Sequence, residues 1–414
     1  MKIRKIKMSE IYLVGGAVRD SLLNLEVKDK DWVVVGSSVE EMLSQGFVLV
    51  GKDFPVFLHP QTHEEYALAR TERKNGRGYT GFSVCAEPTV TLEEDLSRRD
   101  LTINAMAIDS SGRLIDPFGG KQDLFNGILR HVSSAFVEDP VRILRIARFA
   151  ARYNFSVADE TKALMQEMVN NGEVDYLVPE RVWQEISRGL MENKPSKMFE
   201  VLRECGALAI IMPEVNNLFG VPQREDYHPE IDSGIHTMMA LDYAAKNNFS
   251  LSQRYAVLTH DLGKALTPKD ILPKHYGHEE AGIEPLKQMN KRLNVPNECA
   301  KLSMMVTKNH GLFHSVEILR SAKIVDILRY CDAFRQPEIF LSAIKIGFAD
   351  TRGRLNFENA PYPQYELWEK YLLACQQIDI KNIIANISNK AEIPNIIRQE
   401  RIRIIKSLRK NMSN

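Results

Sequence analysis

Near Asp139-Pro140 the chain changes its period. Up to about residue 130, short apolar runs separated by Gly, Pro and Asn read as β-strands. These are IYLVGG, DWVVVG, FVLVGKDFPVFL, EEYALAR, LTINAMAID and RLIDPF. Beyond that point apolar residues recur at helical spacing for most of the chain. The expected fold class is therefore α+β: a mixed-sheet head with helices, followed by an all-α remainder. A chain of 414 residues is too long for one ordinary core. Boundaries are expected near 135, near 225 in VPQREDYHPEIDSG, and between 335 and 360, where ADTRGRLNFENAPYPQ reads as a loop. The segments are then 1–135, 136–225, 226–350 and 351–414.

Composition narrows the class. Hydrophobic content of 44% and charged content of 26% exclude a disordered or fibrous chain. No apolar run approaches the roughly 20 residues that cross a bilayer, so no membrane partner is expected. The start, MKIRKIKMSE, lacks the apolar stretch of a secretion signal; Met8 is an alternative start, and MKIRKIK is given no role. Cys85, Cys205, Cys299, Cys331 and Cys375 are far apart and form no CxxC pair, which fits free thiols in the cytoplasm. The net charge of zero hides local excess. Positive charge gathers in RTERKNGRG (70–78), in SRRD (97–100), along 142–152 and in the tail after Lys381. Phosphate binding depends on such local fields.

Gly15-Gly16 follows the apolar strand IYLV and precedes the helical AVRDSLLN. Strand, glycines and helix start can cradle a phosphate, because backbone N–H groups approach closely there. A dozen residues later, Asp29 and Asp31 stand in VKDKDWVVVG at the head of a β-forming run. A spacing of two puts both carboxylates on one strand face. Two such charges repel unless a hard cation lies between them, and magnesium with substrate phosphates suits that donor set.

GG followed by DxD on the next strand resembles the nucleotidyltransferase superfamily that includes DNA polymerase β. LVGGAVRDSLL…VKDKDWVVVG and RRDLTINAMA (98–107) resemble the class II tRNA nucleotidyltransferases and bacterial poly(A) polymerases more closely. EDPVRILRIARFAARYNF (138–155) matches the EDxxR motif of class II CCA-adding enzymes, and GYTGF, VPERVWQE and HPEIDSGIHT extend the match from Ile11 to about Pro363. The resemblance, of the gammaproteobacterial multifunctional type, implies a polymerase β-like head, a helical neck, an HD phosphohydrolase domain and a basic helical tail. It implies CCA addition to tRNA from CTP and ATP, with Asp29 and Asp31 catalytic and holding magnesium. It assigns Gly16, Arg19, Arg99, Arg145 and Arg148 to nucleotide contacts, and Asp139 and Arg142 to base selection. The selection is chemically intelligible. Cytosine and adenine both set an amino donor beside a ring-nitrogen acceptor, whereas guanine and uracil reverse that order. A carboxylate beside a guanidinium takes the first pair and rejects the second.

Arg142, Arg145, Arg148 and Arg152 recur along one stripe of this helix, with apolar residues filling its other faces, so the arginines need partners. A second constellation lies downstream, where seven of the ten histidines fall between 228 and 314. His260-Asp261 in RYAVLTHDLGK, with His236 upstream, His278 in GHEEAG, His310 in KNHGLFH and Asp350 in GFADTRGR, resembles the ordered pattern of the HD phosphohydrolases. That resemblance implies a divalent transition metal, nickel among the candidates. The implied activities are 2′,3′-cyclic phosphodiesterase, 2′-nucleotidase and phosphatase. His228, His275 and His314 are expected to lie outside the ligand set.

The loop RKNGRGYTG (73–81) and the tail, with eight Lys or Arg against two Glu from 381 to 414, suit backbone recognition of tRNA. Two rivals share part of the pattern: a poly(A) polymerase of the same fold, and a non-catalytic tRNA-binding protein. Either a monomer or a homodimer is compatible with the sequence.

Overall fold

The computed structural model describes residues 9–27, 29–51, 55–74, 82–226, 228–385 and 389–412. The chain divides into two compact units, Met1–Ile211 and Met212–Asn414. The initial MKIRKIK and residues 75–81 of the RKNGRGYTG loop lie outside the described residues.

In the first unit, IYLV and DWVVV pair antiparallel as β1 (Glu10–Val14) and β2 (Asp31–Val35), which sets Val14 opposite Asp31. Helix α1 (Gly16–Leu22) follows β1, and α2 (Val39–Ser44) follows β2 behind a Ser38 capping box. The stretch FVLVGKDFPVFL contributes β3 (Val48–Leu49) and β4 (Val56–Leu58). EEYALAR contributes β5 (Glu65–Leu68), parallel to β2 with Asp31 beside Glu65. A hairpin of β6 (Thr71–Lys74) and β7 (Phe82–Cys85) stands apart, and α3 (Leu92–Ser97) leads to the RRD segment. With β8 (Ala107–Ile108) and β9 (Leu114–Ile115), the described residues form a mixed seven-stranded sheet ordered β3-β4-β5-β2-β1-β8-β9.

Both faces of β2 are covered, which is why its run is continuously apolar. Val33 and Val35 join Val14, Leu96, Ala105 and Ala107 on one side. Val34 joins Met42, Phe57, Tyr66 and Leu68 on the other, and side chains of this size each contribute roughly 1.5–3 kcal/mol on full burial. One expected strand is shorter than its pattern. In LTINAMAID only Ala107–Ile108 enters the sheet, while Thr102–Asn104 forms a 3-10 turn. The Thr102 hydroxyl donates to Asp123 at 2.7 Å and the Asn104 amide donates to Asp100 at 3.0 Å. Such local side-chain bonds compete with a ladder.

Helix α4 (Gly120–Asn126) and the short pair β10 (Ile128–Leu129) and β11 (Ser156–Val157) flank α5 (Val141–Tyr153). Asp139 accepts the Val141 N–H at 3.1 Å at the start of α5. The unit continues with α6 (Asp159–Asn170), α7 (Pro179–Leu190), α8 (Ser196–Glu204) and α9 (Ala207–Ile211). Ile143, Leu144, Ile146 and Ala147 are fully buried where α7 and α8 pack on α5.

The second unit is helical throughout its described residues apart from one isolated β-bridge. After α10 (Pro213–Asn216) come α11 (Ser233–Lys246) and α12 (Leu251–Thr259). Then follow α13 (His278–Ala281), α14 (Ile283–Arg292), α15 (Asn297–His314), α16 (Ser321–Tyr330) and α17 (Pro337–Arg352). Helix α12 is buried almost all round and packs on α11, α15 and α17. The stretch expected as a loop from 349 starts later, because Ala349–Arg352 complete the last turn of α17. Beyond it lie α18 (Gln364–Gln376), α19 (Ile380–Ile384) and α20 (Ile393–Met412). Several tail cations are used within the unit: Arg398 pairs with Asp326 at 2.7 Å, and Arg401 lies 3.4 Å from the centroid of Phe334. No helix among the described residues is long and apolar enough to cross a membrane.

Candidate active sites

The sheet, the RRD segment and α5 enclose a cavity of about 640 Å³ in the first unit. Seven arginines line it against four carboxylates: Arg19, Arg70, Arg98, Arg99, Arg142, Arg145 and Arg181 face Asp31, Glu65, Asp100 and Asp139. A neutral chain thus carries a hollow whose lining has an excess of positive charge, the sign a polyphosphate needs.

Gly15 turns the chain from β1 into α1 with φ +68°, and a Cβ there would come 2.8 Å from Arg99 Nη1. Its lack of a side chain therefore serves both the turn and the seating of Arg99. Gly16 lines the cavity at the helix start. Arg19, one turn on, is buried against Phe149 and Tyr153, and it pairs with Asp20 and Asn104.

Asp31 faces the cavity from the first residue of β2, and Glu65 stands in register beside it on β5. Asp29 precedes the strand and is exposed. Although Asp31 remains open to solvent, surrounding protein raises its carboxyl pKa; Arg99 opposes the rise and the Asp29 charge adds to it. Hard oxygen donors on neighbouring strands fit a magnesium ion.

The RRD arginines form buried pairs rather than a solvated cluster. Arg98 and Arg99 both pair with Asp95, which is fully buried, at 2.7 and 3.2 Å. Asp100 receives Arg145 at 2.7 Å. Burial alone would raise the Asp100 carboxyl, but Arg145, Asn104 and Arg142 hold it at about 2.

The stripe on α5 finds a partner for each cation. Arg142 donates to the carbonyls of Ala135 and Arg98 at 2.9 and 2.7 Å. Asp139 is gripped by both Arg181 nitrogens, at 3.1 and 2.7 Å, a fork that fixes its carboxylate plane. Arg148 is buried beside α7 and bonded to Glu185 at 2.6 Å, behind the residues that line the cavity. Arg152 reaches Asp20 at 3.5 Å.

In the second unit, His236, His260, Asp261, His278, His310 and Asp350 converge. Asp261 lies where α12 ends, with Oδ2 3.1 Å from His260 Nε2 and Oδ1 3.3 and 3.4 Å from the Nε2 atoms of His278 and His310. Asp350 Oδ1 lies 3.1 Å from His236 Nε2 and 4.0 Å from His260 Nε2. Gly263 permits this convergence, since a Cβ there would sit 1.9 Å from the carbonyl oxygen of His278. Buried His260 Nε2 and Asp261 Oδ1 have no hydrogen-bond partner, which suits a cation bound by imidazole and carboxylate. Burial alone would raise the Asp261 carboxyl; the His260 and Lys264 charges hold it well below the usual range. His275 bonds Thr267 and the Pro222 carbonyl, away from the cluster. His314 donates to Asp350 at 2.6 Å, and His228 joins Glu230 and His236 in an adjoining group that could hold an ion.

Residues 11–130 match the poly A polymerase head domain, and 154–219 match the probable RNA and SrmB-binding site of polymerase A. A multifunctional CCA protein of Neisseria meningitidis serogroup C is 63% identical over 376 residues, 91% of this chain and 90% of that protein. The chain belongs to the multifunctional CCA protein family. Membership makes it a nucleotidyltransferase. Two solved structures share the fold: a CCA-adding enzyme with ATP and the Thermotoga maritima CCA-adding enzyme with tRNA. The first has TM-score 0.63 at 21% identity, over 96% of this chain and 86% of that one. The second has TM-score 0.62 at 21% identity, over 98% and 92%.

In this member of the multifunctional CCA family, sequence reading passed over Glu65, Arg181 and Glu230. Glu65 and Arg181 become visible only through pairing, of β5 with β2 and of α7 with the start of α5. Glu230 lies in HPEIDSGIHT, next to histidines but without a chemical signal of its own.

The depressed Asp100 pKa carries a stability consequence. Its folded value lies below the unfolded one, so the pair stabilises the protein above about pH 4 and is lost as pH falls towards 2. Asp100→Asn should cost about 2 kcal/mol at neutral pH and flatten the loss between pH 4 and 2, read by denaturant unfolding across pH.

Proposed function

We propose that the protein adds and repairs the 3′-terminal CCA of tRNA from CTP and ATP without a nucleic-acid template. We propose further that its second unit is an HD phosphohydrolase with 2′,3′-cyclic phosphodiesterase, 2′-nucleotidase and phosphatase activity. One observation carries the first reading: one cavity is lined by strand-end carboxylates, by seven arginines and by both Asp139 and Arg142. Binding of ATP and of tRNA by the two CCA-adding neighbours of the same fold supports it. The head match is shared with poly(A) polymerases and does not separate the two activities. The base-reading pair and the histidine cluster favour CCA addition.

Asp29, Asp31 and Glu65 would hold magnesium, which when bound would neutralise triphosphate charge and activate the α-phosphorus for attack by the tRNA 3′ hydroxyl, with the α–β phosphoanhydride bond broken and pyrophosphate leaving. Arg19 and Arg99 hold phosphate oxygens at the glycine turn, and Arg145 adds positive charge from α5. Asp139 accepts the amino group of C or A while Arg142 donates to the adjacent ring nitrogen. Because Arg181 orients the Asp139 carboxylate, the reading edge is set before a nucleotide arrives.

In the second unit His236, His260, Asp261, His278, His310 and Asp350 would hold a divalent transition metal, nickel among the candidates, which supplies Lewis-acid activation of water and phosphate ester. Lys264, buried and 2.7 Å from Asp261, fixes the carboxylate. Buried free cysteines fit a cytoplasmic protein.

Asp31→Ala should abolish CMP and AMP incorporation while leaving 2′,3′-cyclic phosphodiesterase activity intact, and His260→Ala should do the reverse. A single substitution that silences both in folded protein contradicts two independent sites. Asp139→Ala and Arg181→Ala should both relax discrimination against UTP and GTP. A bidentate reading pair is worth about 1–3 kcal/mol, or roughly 5–150-fold, in single-nucleotide incorporation. Unchanged selectivity in both variants would remove the base-reading role of Asp139.

A further inference from the structure

Behind the cluster of the second unit stands another set of metal donors. His236 on α11 has no solvent exposure, and the two nitrogens of its ring face different neighbours. Its Nε2 lies 3.1 Å from Asp350 Oδ1, within the cluster described above. Its Nδ1 faces a corner made by His228 and Glu230 in the loop before α11, and this buried nitrogen has no hydrogen-bond partner. Glu230 Oε1 lies 2.9 Å from His236 Nδ1 and 3.1 Å from His228 Nδ1. The two rings stand nearly at right angles, with centroids 4.6 Å apart. The side chains of His228 and Glu230 are 13% and 3% exposed, so the corner is closed on most sides.

A proton and a cation make different demands on such a corner. A hydrogen bond needs the N–H aimed at the acceptor. A ligand needs its lone pair aimed beside the other donors, at a point about 2.0–2.1 Å away that all of them share. His236 Nδ1 is within hydrogen-bond distance of Oε1 and still makes no bond, so its free direction passes beside the oxygen. Donors around one tetrahedral ion stand about 3.3 Å apart, so these spacings need open only slightly to admit one. Glu230 Oε2 is occupied elsewhere, accepting the Leu355 N–H at 3.4 Å, which leaves Oε1 to the ring nitrogens.

Given the metal centre proposed above, we propose that His228 Nδ1, Glu230 Oε1 and His236 Nδ1 bind a second divalent transition metal beside it. Two imidazoles and one carboxylate are a donor set of that class, and three protein donors leave the fourth tetrahedral position to water. His236 serves both ions, one at each nitrogen. When both are bound its ring gives up the N–H proton to solvent. His228 stays outside the first ligand set and belongs to the second.

The test is ion counting on the full chain, stripped with chelator, loaded with Co²⁺ alone and freed of unbound metal by gel filtration. Glu230→Ala and His228→Ala should each retain one cobalt fewer per chain than wild type. His260→Ala should lose a different one, so that Glu230→Ala combined with His260→Ala loses two. A wild-type count in both Glu230→Ala and His228→Ala overturns the second ion, whatever His260→Ala does. Loss of no more than one ion in the combined variant means a single shared ion and also overturns it. A wild-type count in His260→Ala, with one ion lost in Glu230→Ala, removes the metal centre proposed above and leaves the second ion standing. Wild-type crystals soaked in Co²⁺ give the answer without a variant. Their anomalous map should show a peak within about 2.3 Å of His228 Nδ1, Glu230 Oε1 and His236 Nδ1. Cobalt at Asp261 with none at Glu230 overturns the second ion alone, and no cobalt in the second unit overturns both.

Discussion

The apolar faces of α5 bury the helix, and in doing so they carry Arg142 and Arg148 into the interior of the first unit, with Arg145 half-buried between them. A guanidinium cannot lose its charge there, so each must find acceptors. Arg142 takes two backbone carbonyls, Arg145 takes Asp100 and Arg148 takes Glu185. Two of these ties end on the RRD segment, at the Arg98 carbonyl and the Asp100 carboxylate. That segment also places Arg99 beside the glycine turn. The need to neutralise one helix therefore sets Asp139 and Arg142 at a fixed place relative to the glycine turn.

The second unit meets the same constraint with titratable groups. Asp261 and Asp350 are buried carboxylates, and imidazoles, Lys264 and Arg354 converge on them. In the first unit the charges largely satisfy one another and leave a positive hollow. In the second, His260 Nε2 and Asp261 Oδ1 remain without partners, a residue of demand that an ion can meet. Both sites hold their donors ready before any ligand binds.

Much of this was readable from the residues. The change of period at Asp139-Pro140, the uninterrupted DWVVV of a strand covered on both faces, and the position of Asp31 at a strand end all follow from pattern and spacing. The six residues that converge in the second unit are ordered along the chain in a recognisable way. What stayed hidden depended on pairings between distant segments. Glu65 matters because β5 lies parallel to β2, and Arg181 matters because α7 folds back on the start of α5. Arg148 occupies the same helical stripe as Arg145, yet it meets Glu185 instead of the cavity. Thr102–Asn104 left the sheet because polar side-chain bonds outweighed strand propensity.

The most direct test of CCA addition uses the purified chain, magnesium and a tRNA lacking its 3′ CCA. Labelled CTP and ATP are supplied separately and together, and products are separated on a gel. The account predicts two C additions with CTP alone, CCA with both nucleotides, and then a stop. An A-only ladder without a stop, or no incorporation at all, would contradict it.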